Sequence, residues 1–126
     1  METTATELQT APRETAERIL AAGGGTVWFD SETEHARYVV GDGRRGIRCD
    51  ATLDNVRRWI VASVVHVFHA AEGVGFWIND GTLYVDPVRT YETFRSAEIE
   101  GQRNGEKAIW DRELQEELTV SKVSVI

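Results

Sequence analysis

Val74-Gly75-Phe76-Trp77-Ile78-Asn79-Asp80-Gly81-Thr82-Leu83-Tyr84-Val85-Asp86 is the stretch that decides the fold. Asp80-Gly81 lies between two alternating apolar runs, the strongest short-range signature of a two-residue β-hairpin. Counting outward from that turn pairs Asn79 with Thr82, Ile78 with Leu83, Trp77 with Tyr84 and Phe76 with Val85. Side chains alternate along a strand, so Phe76, Ile78, Leu83 and Val85 share one face and Trp77 and Tyr84 the other. A sheet with an aliphatic face and an aromatic face needs a cover on both sides or a partner on one.

The flanking segments supply the covers. Upstream, Thr52 is an N-cap for a long helix over 53–71, closed by Gly73. Val56, Trp59, Ile60, Val64, Val67, Phe68 and Ala71 spread around much of its circumference, the pattern of a helix buried on more than one side. Downstream, Pro87 is expected to end the second hairpin strand. A helix then spans 90–104 with Tyr91, Phe94, Ala97 and Gly101 on one side, and Asn104-Gly105 stops it. Near the N-terminus Pro12 opens a short helix carrying Ala16, Ile19 and Leu20, ended by Gly23-Gly24-Gly25. Strands are predicted over 26–30, 36–40, 44–49, 107–111 and 118–126. Residues 1–9, Thr/Glu-rich, read as a flexible N-terminal tail, and 10–126 as a single domain. The order implies an α+β fold: an antiparallel sheet of about five to seven strands packed with a long central helix and two shorter helices.

Net charge is −7, with 8 basic and 10 acidic groups in residues 1–63 and 6 and 11 in residues 64–126. That balance disfavours direct binding to nucleic acid through phosphate neutralisation. A single Cys49 excludes an intramolecular disulfide and argues against a cysteine-rich zinc site. No apolar leader is visible, and the longest apolar run, from Trp59, is far shorter than the roughly 20 residues of a membrane span. The expectation is a cytoplasmic protein without membrane contact and without a cofactor.

Four constellations invite a chemical reading. His66-x-x-His69-x-x-Glu72 falls along one helical stripe that runs back to Arg58, and imidazole with carboxylate is an ordinary ligand set. The stripe also serves as the one wet edge of an apolar helix, and no His-Glu-x-x-His pattern occurs, so no metal is assigned. The basic residues Arg44, Arg45, Arg48, Arg57 and Arg58 can fork onto an oxyanion, but Asp42, Asp50 and Asp54 stand ready to pair with them. Ser63 sits inside a helix rather than on a nucleophile elbow, and Cys49 has only His35 or His66 as distant partners, so no catalytic residue is assigned. Trp77 and Tyr84, with Trp28 and Trp110 on neighbouring strands, form the fourth. Trp and Tyr dominate interaction hot spots, while core burial is the competing reading, favoured for Trp28 and Trp110.

Gly75 to Pro87, a following Glu-rich helix and Asn104-Gly105-Glu106-Lys107-Ala108-Ile109-Trp110-Asp111 together resemble short uncharacterised proteins of actinobacterial phages and related mobile elements, over residues 74–111. The resemblance implies a small accessory or host-interacting protein and carries no activity. The functional expectation is a non-enzymatic protein-binding module, self-associating as a homodimer or partnered with a basic protein surface. Its binding residues are then Trp77 and Tyr84, with Arg58, His66 and His69. The alternative is a small-ligand or metal-binding domain with a pocket between the hairpin and the central helix. An acidic inhibitor mimicking nucleic acid is a further, minor alternative.

Overall fold

The structure, a computed structural model, describes residues 2–4, 12–29, 35–64 and 70–120. Its elements are β1 (Glu2–Thr4), α1 (Pro12–Ala22), β2 (Gly24–Trp28), β3 (Tyr38–Gly41), a 3-10 turn (Gly43–Arg45), β4 (Ile47–Asp50), α2 (Leu53–Val64), β5 (Gly73–Asn79), β6 (Thr82–Tyr91), α3 (Phe94–Asn104), β7 (Ala108–Asp111) and β8 (Glu116–Thr119). The fold is α+β. Strands run in the order β1-β2-β5-β6-β3-β7-β8, with β4 beside the first half of β6. Every pairing is antiparallel except that of β1 with β2.

The hairpin has the register counted from the sequence: Phe76 pairs with Val85, Trp77 with Tyr84, Ile78 with Leu83 and Asn79 with Thr82. Asp80 (φ 49°) and Gly81 (φ 74°) are both left-handed, as a type I′ turn requires. Ala16 and Ile19 of α1 and Val56 and Ile60 of α2 bury themselves against Val27, Val74, Phe76, Leu83 and Val85. On β3, Val40 pairs with Arg89, so it points to the same side as Leu83 and Val85, and there it packs with Ala97 of α3 and Ile109. All three helices therefore cover one face of the sheet.

The other face carries a small second cluster at one end. Trp28, Val39 and Val88 are buried there, with Trp110 against them. The indole of Trp28 stacks on His35 at 4.0 Å between centroids, and Arg112 lies over it at 5.2 Å. Gly73, opposite Trp28 in the ladder, must lack a Cβ: one placed there would stand 3.0 Å from the indole. Arg112 also donates to the carbonyls of His35 and Ala36 and pairs with Glu2 at 2.6 Å, tying β1 to the β7–β8 turn across the sheet.

Several expectations are corrected. Residues 2–4, placed in a loose tail, form β1. The second hairpin strand does not stop at Pro87 but runs on to Tyr91. Val88 accepts from the Glu72 N–H on the β5 side, whereas the Pro87 carbonyl accepts from the Asp42 N–H on the other. The proline nitrogen thus faces the junction between β4 and β3, where no ladder partner is needed. Consequently α3 starts at Phe94, capped by Thr93, rather than at 90. Helix α2 does not extend to Ala71, since Ala70 has φ 57°. Nor is it buried all round: Arg57, Arg58 and Val61 are exposed, leaving an ordinary amphipathic helix. No helix among the described residues is long and apolar enough to cross a membrane.

Candidate functional site

The face away from the helices is open at the hairpin end. Strand pairing lays Gly24, Trp77, Tyr84 and Arg48 in one cross-strand row over β2, β5, β6 and β4. Above it lie Asp50, Thr82 and Asn79, and below it Gly46, Asp86, Gly75 and Thr26, all on the same face by alternation. Asp80 sits in the adjoining turn. Trp77 is 47% exposed, against 4% for Trp28 at the covered end. Tyr84 is half-buried, and the guanidinium of Arg48 lies over its ring at 6.0 Å from the centroid. Within the row a cation already lies over an aromatic ring of this face.

Asp86 is the unusual carboxylate. No described residue donates a hydrogen bond to it, and burial, then the nearby Glu106 and Asp42, push its carboxyl up to about 6. Glu106 is raised as well, mainly by burial, although its Oε1 accepts from the Gly43 N–H at 2.7 Å. Asp42 is held low by its hydrogen bond from Arg44, which also reaches Asn104 Oδ1 and the Arg103 carbonyl. Three carboxylates thus surround one glycine-rich turn whose Arg44 is committed to Asp42.

The remaining sequence candidates fare differently. Arg58 is exposed on α2, on the far side of the sheet from Trp77 and Tyr84. His66 and His69 lie outside the described residues. Glu72 is not on a helical stripe: it precedes β5 and turns onto Thr90, accepting from its N–H and its Oγ1 (2.8 Å), with His35 Nδ1 3.3 Å from the same carboxylate. Those hydrogen bonds keep the Glu72 carboxyl below its ordinary range despite partial burial. No group of three His, Cys, Asp or Glu among the described residues is placed to hold a metal ion. Between the hairpin and the central helix Val56, Ile60, Phe76 and Leu83 pack as core, and the lining expected of a pocket there at His66 and His69 lies outside the described residues. Cys49 points to that core side, where burial raises its thiol. Trp28 is buried as core, whereas Trp110 is only partly buried against that cluster.

Two features escaped the sequence reading. Asp111 is fully buried and gripped by Arg37 through two hydrogen bonds of 2.9 and 2.8 Å, which together with the N–H groups of Glu113 and Leu114 lower its carboxyl to about 2. Its position on a strand beside Trp110 was the available signal, since an acidic residue in an alternating run needs a partner. The carboxylate group around Asp86 had no such signal, because Asp42, Asp86 and Glu106 are far apart in the chain. Comparison with protein families, with curated proteins and with solved structures finds no match.

Proposed function

We propose that this protein is a non-enzymatic binding module that takes a short, cationic segment of a partner protein on its open sheet face. The observation that carries the reading is Trp77, a large aromatic ring left 47% exposed in the middle of a regular strand, on the face that none of the described helices covers. An indole held rigid by the sheet loses little entropy on binding and is the best cation–π acceptor among side chains. Asp50, Asp80 and Asp86 rim the row, and the net charge of −7 adds a longer-range attraction for a basic partner.

The size of the patch favours a segment over a second folded copy. Four strands and three rows span roughly 200–300 Å² at ordinary strand spacing. Stable complexes of folded partners bury about 800 Å² on each side. Self-association through this face is therefore the weaker form of the reading. The likeness of residues 74–111 to phage-encoded accessory proteins directs the search for the partner to a host.

Calorimetric titration with a hexa-arginine peptide at about 0.15 M salt tests the proposal. Binding by the wild type that is lost in a folded Trp77→Ala variant supports it. Equal binding by the two proteins removes the aromatic face from the account.

A further inference from the structure

We infer that Asp86 gates this face by protonation: its charged carboxylate holds the cationic segment, and uptake of a proton, favoured by the neighbouring Glu106 carboxylate, releases it. The inference rests on the binding reading above and adds a regulator to the same surface.

The geometry makes Asp86 both a member of the face and a member of the buried carboxylate group. It follows Tyr84 by one strand repeat, beside Gly75, so its backbone fixes it below the aromatic row. Its side chain is drawn across the neighbouring turn. A Cβ on Gly46 would collide with Asp86 Oδ1, and one on Gly43 would stand 3.3 Å from Glu106 Oε1 and 4.0 Å from Asp86 Oδ1. A Cβ on Gly41 would likewise meet Asp86 Oδ2 at 3.7 Å and Glu106 Oε1 at 4.0 Å. The two carboxyl groups thus converge on a strip where glycines remove every intervening side chain.

Asp86 faces few charges. From β5 and β4 come only Gly75 and Gly46, and from the junction after α3 comes Glu106. The β3–β4 turn contributes Asp42, with Arg44 bound to Asp42 rather than to Asp86, and Arg45, which acts on Asp42. A carboxylate with no donor among the described residues, partly buried among like charges, holds its proton to higher pH than an isolated one. Burial first, then the Glu106 and Asp42 carboxylates, push it up to about 6. The charged form adds an ion-pair partner for the incoming cation. The protonated form leaves the aromatic row with one acid fewer.

The test combines two readouts on the full chain. Carboxyl-carbon NMR titration without any peptide follows Asp86 directly, and hexa-arginine affinity is measured at pH 7.5 and 5. The expected result is an Asp86 midpoint near 6 that falls towards the ordinary range in Glu106→Gln. Alongside it, affinity drops roughly two- to fivefold on acidification in the wild type, and Asp86→Asn binds at both pH values like the acidified wild type. An Asp86 midpoint near 4, or a pH effect of equal size in Asp86→Asn, overturns the gate. Absence of binding at every pH with Asp86 still titrating near 6 overturns the binding reading instead.

Discussion

Trp77 and Tyr84 stand opposite one another across β5 and β6, but only one ring is shielded: Arg48 lies over Tyr84, while nearly half of Trp77 remains open. The same ladder gives the two rings different surroundings because β4 ends the sheet beside Tyr84, whereas the residue next to Trp77 on β2 is Gly24, with no side chain to offer.

Truncating the two buried or exposed indoles separates core from surface. Trp77→Ala should fold with a stability change below about 1 kcal/mol, as for other surface substitutions. Trp28→Ala should cost about 3–5 kcal/mol, because it removes the ring that joins Val39, Val88 and His35. Denaturant unfolding of both variants checks the contrast.

Two glycine substitutions test the turn and the carboxylate strip. Gly81→Val places a branched residue at φ 74° and should cost about 1–2 kcal/mol, read as a lower melting temperature. Gly46 has an ordinary φ of −89°, so Gly46→Ala is a purely steric probe: its Cβ meets Asp86 Oδ1 and, at 2.6 Å, the Val85 carbonyl. A loss of about 1–3 kcal/mol is expected, as for overpacking elsewhere.

Stability should respond to pH with two opposite signs. The folded-state carboxyl of Asp111 lies at about 2, below its unfolded value, so its contribution is present above pH 4 and is lost as pH falls towards 2. Arg37→Met, which leaves that carboxylate buried without its cation, should abolish this acid limb while lowering stability at neutral pH. Asp86 runs the other way: its folded-state carboxyl lies at about 6, above the unfolded value, so stability falls as pH rises through 6. Asp86→Asn should therefore raise stability at pH 8, by about 1 kcal/mol after solvent screening, and leave it unchanged near pH 3, below the unfolded value. Thermal melts across pH 2–8 read both limbs.

The legible part of the fold was local. Asp80-Gly81 with its flanking alternation carried the hairpin, its register and the division into an aliphatic and an aromatic face, and Asn104-Gly105 carried the stop of α3. What stayed hidden depended on tertiary neighbours. Pro87 reads as a strand end until the change of partner from β4 to β3 leaves its nitrogen facing a gap. Glu72 reads as one turn beyond His69 until Thr90 and His35 appear beside it. Which ring of the aromatic face is open depends on Gly24 and Arg48, both distant in the chain.

Nitrogen–proton correlation spectra of the labelled protein, titrated with hexa-arginine at pH 7.5, test the binding face most directly. The account predicts shifts concentrated on the Trp77 indole and on the amides of Arg48, Asn79, Tyr84 and Asp86. Shifts centred on α1, α2 or α3, or spectra that do not change, would contradict it.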